Sequence, residues 1–194
     1  MEYFRKPLEQ GMPYGVSFTS GYLLHYLLDS HMHPFVLETV AKGHVTHFAL
    51  EGEFDRLLLR REGRDYRASI PQREFPPEFF TLASHMSPAV TPGNYQAALR
   101  RFRLVSFKMG EWAGTPFRYV VNAASKIPAA GAIRGSVLDH EPVPGLRREL
   151  QTMEEIFQET VELAAVELDR FHQNIRDREQ LSPELSRDYS GREV

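Results

Sequence analysis

The stretch VTHFALEGEFDRLLLRREGRDYRASI, residues 45–70, decides the fold. Two Glu-Gly pairs, Glu51-Gly52 and Glu62-Gly63, punctuate it at the positions where turns belong. They leave three runs of strand length, Val45 to Leu50, Phe54 to Arg61 and Arg64 to Ile70, which predict a three-stranded meander. Leu57, Leu58 and Leu59 interrupt the alternation. A continuous apolar run of this kind marks a strand covered on both faces, or one that a partner partly covers.

Working outward, Phe102 to Met109 and Phe117 to Ala123 read as a hairpin around Glu111-Trp112-Ala113-Gly114, and Ala130 to Leu138 as one more strand. Helical signals flank these runs. Ser20 caps a helix through Leu28, and a second helix has Pro34 in its first turn and Gly43 at its C-terminal cap. Glu78 to Met86 is helical, and Asn94 to Leu99 is a helical turn. From Leu146 to about Arg178, Leu150, Met153, Phe157, Val161, Ala164, Leu168, Phe171 and Ile175 recur at spacings of three and four, the stripe of a long amphipathic helix. The predicted class is therefore α+β: an antiparallel sheet of five to six strands backed by helices, with a long C-terminal helix. Residues 1–19 form an irregular lead-in, 20–181 one domain, and 182–194 a polar tail.

A chain of 194 residues without cysteine has enough surface to bury for a core of its own, and it excludes disulfide scaffolds, cysteine-ligated zinc and cysteine nucleophiles. A net charge of −3 argues against a generic polyanion binder. No apolar run is long enough to span a bilayer and no signal peptide is legible, so the expectation is a cytoplasmic protein without a membrane partner.

Catalytic signatures are sparse. No phosphate-binding glycine loop and no Gly-x-Ser-x-Gly elbow occurs. The histidines His31, His33, His44 and His47, with Glu51 or Asp55, are the one constellation that suits a small metal-dependent enzyme. On a strand, however, His44 and His47 face opposite ways, and no His-Glu-x-x-His pattern is present. No metal ligand, cofactor or catalytic residue is assigned on this basis. Arg60, Arg61, Arg64 and Arg67, then Arg100, Arg101 and Arg103 with Phe102 and Tyr66 interleaved, are the elements of a single-strand nucleic-acid surface, with Arg60, Arg64, Arg67, Arg101 and Arg103 as its contacts. Nearby Glu53, Glu62 and Asp65 weigh against it.

The element order over residues 20–178 resembles that of type III secretion chaperones and the related YbjN-like proteins. That likeness implies a small, acidic, dimeric protein without enzymatic activity. More locally, Gly43 through Ile70, then Phe117-Arg118-Tyr119-Val120-Val121-Asn122-Ala123 and Gly131-Ala132-Ile133-Arg134, resemble the N-terminal domain of pilus-retraction and type II secretion ATPases. The Ser-Asp-x-His of that family is replaced here by Val45-Thr46-His47-Phe48, and its phosphate-binding domain is missing. The resulting expectation is a non-enzymatic protein-binding module, chaperone-like or an accessory subunit, dimeric or partner-bound. Its contacts would be Leu57, Leu58, Leu59, Leu168, Phe171 and Ile175.

Overall fold

In a computed structural model the described residues are 11–12, 14–64, 74–86, 89–112, 116–124, 142–177, 182–186, 188 and 190–192. They are helical, with no strand among them. The helices are α1 (Gly15–Ala41), α2 (His47–Arg61), α3 (Pro77–Met86), α4 (Pro92–Trp112), α5 (Phe117–Ala124) and α6 (Arg147–Asp177), followed by a 3₁₀ turn at Pro183–Ser186.

This overturns the α+β expectation and its antiparallel sheet. The first two strands of the meander are one helix, α2. Thr46 stands at its N-cap in extended conformation, and its hydroxyl accepts from the backbone N–H of Ala49 at 3.4 Å. Gly52, read as a turn, lies inside the helix, where glycine costs about 1 kcal/mol relative to alanine and is outweighed by packing. Gly63, also read as a turn, terminates α2. Its φ of +67° suits the left-handed position after a helix, and the Arg64 N–H closes on the Leu59 carbonyl at 2.8 Å. Leu50, Glu53, Phe54 and Arg56 are buried, a helical rather than an alternating pattern. Thr46→Ala is expected to cost about 1 kcal/mol, read as a lowered urea midpoint. An unchanged midpoint would show that this cap does not hold the helix.

The expected hairpin is likewise helical, its two runs lying in α4 and α5. The third strand of the meander, beyond Arg64, and the strand at Ala130 to Leu138 lie outside the described residues. Upstream, the two short helices are a single α1 with Pro34 inside it. Proline brings no N–H, so the Ser30 carbonyl receives no helical bond from that position. Gly43, at φ +84°, follows the end of α1, its N–H donating to the Val40 carbonyl at 3.0 Å.

The helices gather into two compact units. The first contains α1 up to His33, α3, α4 up to Arg101, α6 from Phe157, and the 3₁₀ turn. Its core is Leu23, Tyr26 and Leu27 from α1 with Ala164 and Phe171 from α6, and Leu168 and Leu185 pack against it. Ser20 Oγ and His172 Nε2, 2.9 Å apart, tie the same two helices, and the Tyr26 hydroxyl donates to the Glu184 carbonyl at 3.2 Å. Phe79 meets Phe18 edge-on at 5.2 Å and stacks on Phe75 at 4.3 Å. The second unit contains α1 from Pro34, α2, α4 from Phe102, α5, and α6 up to Ile156. Val36, Val45, Leu50, Phe54, Leu146 and Met153 are its buried apolar residues.

The long helix is where it was expected, and Met153, Ala164 and Phe171 of its expected stripe are buried. Thr160 and Glu167 are buried while Val161 and Val166 are about half exposed. The buried carboxylate of Glu167 is paired with Arg170, whose guanidinium also reaches Ser182.

Candidate functional site

The α1–α2 hairpin organises the chemistry. The Thr46 cap places His47 in the first turn of α2, and Glu51 follows one turn later on the same face. His47 Nε2 and Glu51 Oε1 are 2.9 Å apart. His33 precedes Pro34 in the unbroken helix α1, so the hairpin itself carries this residue. One ligand atom from each of His33, His47 and Glu51 lies within 4.8 Å of the others, and all three residues are half-buried. Among the described residues this is the one group of three with metal-ligating chemistry.

The spacing suits a cation. Two donors each ~2.0–2.1 Å from a tetrahedral ion stand roughly 3.3–3.4 Å apart. The His47–Glu51 pair, at 2.9 Å, needs to open slightly to meet that spacing. Two imidazoles and one carboxylate leave coordination positions open, as in zinc hydrolases and ferrous oxygenases.

The surrounding charges are differently employed. Glu53, two residues beyond Glu51, is buried and turned away from it. One of its oxygens is 3.3 Å from Arg56 Nε and the other accepts the Val143 N–H at 3.2 Å. Burial pushes the Glu53 carboxyl above its ordinary range, with Arg56, the Val143 N–H and Arg60 opposing. Asp55, one turn after Glu51, is also raised, first by removal from water and then by the Glu51 charge. His44 Nε2 is 3.6 Å from a Glu149 oxygen. His31 donates from Nδ1 to the Leu27 carbonyl at 2.8 Å and presents Nε2 to Glu184 at 3.6 Å. Of the four histidines singled out by the sequence, the structure therefore brings His33 and His47 together with Glu51, while His31 and His44 pair with other carboxylates.

Ser20 and His172 have the spacing of a nucleophile and base. Ser20 lies inside α1, where backbone N–H groups are consumed by helical bonds, so no oxyanion donors are offered.

The expected partner surface is dispersed. Leu57, Leu58 and Leu59 are half-buried on α2, Leu168 packs on the first unit's core, and Phe171 is inside it at 2% exposure. The side chain of Ile175 is outside the described residues, as is Arg67. Arg60 and Arg101 are exposed and Arg103 is half-buried, while Arg64 reaches Glu62 at 3.3 Å and Arg61 pairs with Glu154. No described helix is long and apolar enough to cross a membrane. Comparison of the chain with protein-family models, with curated proteins and with solved structures finds no match.

Proposed function

We propose that this chain is a metal-binding helical protein in which His33, His47 and Glu51 hold one divalent transition ion, zinc or iron(II). The observation that carries this reading is the convergence of these three ligand atoms within 4.8 Å on one helical hairpin. Three protein ligands are the pattern of a site that works on something, because purely structural zinc sites close with four. A bound ion supplies Lewis acidity toward water or an oxygen-bearing substrate at its open positions. The chain's own part is to fix the ligands. The capped first turn of α2 holds His47, helical register holds Glu51 beside it, and α1 holds His33.

The test is titration of chelator-stripped protein with Zn²⁺ and with Co²⁺. One equivalent is expected to bind, with cobalt giving the visible absorption of a nitrogen- and oxygen-ligated site. His33→Ala, His47→Ala and Glu51→Gln are each expected to weaken binding on the order of 100-fold with the helical circular dichroism retained, and His44→Ala to leave it unchanged. Because imidazole binds metal only when neutral, affinity should fall in acid. Absence of stoichiometric binding, or equal binding by the His33 and His47 variants, would refute the site.

A further inference from the structure

We infer that Asp55 and Phe48 select what the metal site takes at its open positions: an uncharged ligand with an apolar part and an N–H or O–H, in preference to an anion. The inference rests on the metal reading and adds to it the chemical class of the group that meets the ion.

Helical register carries the argument. His47, Glu51 and Asp55 follow one another at intervals of four on α2, so they form one strip, with neighbouring Cβ atoms about 5–6 Å apart. Side chains on a helix lean toward its N-terminus, which brings the Asp55 carboxylate over the turn of Glu51. The Glu51 charge accordingly acts on the Asp55 carboxyl. Asp55 is exposed, and among the described residues it makes no hydrogen bond and no ion pair. Nearby cations are directed to other carboxylates: Lys42 to Glu38 at 3.0 Å, Arg56 to Glu53 at 3.3 Å, Arg61 to Glu154, and Arg64 to Glu62 at 3.3 Å. Phe48, two turns before Asp55, lies on the same side of α2. Its ring is 46% exposed and meets the His47 ring edge-on, with centroids 6.0 Å apart.

These placements decide between ligand classes. Two neutral imidazoles and the Glu51 carboxylate leave the double charge of the ion half neutralised, and Asp55 offsets the remainder. An incoming anion therefore meets little net attraction and a carboxylate beside its path. A phosphoryl group would call for arginine or lysine where Asp55 stands. An uncharged ligand avoids the repulsion, and its N–H or O–H donates to the Asp55 carboxylate in a charge-assisted hydrogen bond. Its apolar part is covered by the Phe48 ring, which supplies exposed aromatic surface beside a metal ligand.

The experiment titrates the Co²⁺-loaded full chain with imidazole, benzimidazole and azide, following the visible absorption of the ion. Imidazole and benzimidazole are uncharged ligands with an N–H, and azide is a small anion. The parent is expected to bind imidazole more tightly than azide, and benzimidazole more tightly than imidazole. Asp55→Asn is expected to strengthen azide on the order of tenfold, the effect of removing one charge about 7 Å away near a protein surface, and to weaken imidazole. Asp55→Glu should keep the parent's order. Phe48→Ala is expected to abolish the advantage of benzimidazole. Both positions are exposed, so helical circular dichroism should be retained in each variant. Azide bound as tightly as imidazole by the parent, or an azide affinity that Asp55→Asn leaves unchanged, overturns the inference and leaves the metal reading standing. A benzimidazole advantage that is missing in the parent, or that survives Phe48→Ala, overturns the part assigned to Phe48. Absence of Co²⁺ binding by the parent overturns both the inference and the metal reading.

Discussion

Arg56→Met is expected to destabilise the protein by about 3–5 kcal/mol at neutral pH, the cost of stranding a buried charge. Arg56 and Glu53 are 1% and 2% exposed, one turn apart on α2, and among the described residues the arginine is the largest side chain that is fully buried. In the variant the Glu53 carboxylate retains the Val143 N–H and loses its nearest counter-charge. Burial already holds this carboxyl above its ordinary range, with Arg56 the largest opposing influence, so its removal raises the group further. A carboxyl raised in the folded state penalises folding at pH values above its folded pKa, and the penalty disappears as it takes up a proton. The deficit of the variant should therefore shrink as the pH falls from neutral toward the acid range. Replacing both partners, Glu53→Leu with Arg56→Met, removes the stranded charge and should recover most of the loss. Urea denaturation of the single and double variants at two pH values checks this. A single variant within about 1 kcal/mol of the parent, or a double variant no better than the single, would show that the pair is not a coupled buried unit.

This pair also shows why the sheet expectation failed. Read with a period of two, Glu53 and Asp55 share one side of a strand, and Glu51-Gly52 marks the bend before them. Read with a period of 3.6, Leu50, Glu53, Phe54 and Arg56 fall on one buried side. Two of those four are charged, so a hydrophobic pattern alone discards half of the true inward face. The run Leu57–Leu59 was the legible warning, since a half-buried strand alternates and this segment does not. The same misreading hid the candidate site. On a strand, His44 and His47 diverge and the Glu51 partners are Glu53 and Asp55. On a helix, Glu51 belongs with His47 four residues earlier. His47-x3-Glu51 was visible as a spacing and became meaningful only with the helical period. The approach of His33 depends on how α1 turns into α2 at Gly43, and no periodicity encodes that. By contrast α6 was legible throughout, because thirty-one residues of sustained period leave little room for a strand.

Phe171→Ala is expected to cost about 3–5 kcal/mol of stability, the usual loss for truncating a fully packed aromatic ring. The outward reading of this turn of α6 treats Phe171 as a contact for a second protein, whose loss would weaken association and leave folding intact. The structure spends the ring within the chain. It is 2% exposed in the cluster of Leu23, Tyr26, Leu27 and Ala164, and Leu185 of the 3₁₀ turn joins the packing. Deleting the ring removes contacts from α1, α6 and that turn together, so there is little prospect of local collapse to fill the space. Val161→Ser and Val166→Ser provide the contrast. Both residues are about half exposed on the same helix, so each change should move stability by no more than about 0.5 kcal/mol. Thermal or urea unfolding of the three variants separates the two accounts. A Phe171→Ala protein as stable as the parent would return that side chain to the surface. A large loss, with the valine variants unchanged, assigns the inward stripe of α6 to the line running through Thr160, Ala164, Glu167 and Phe171.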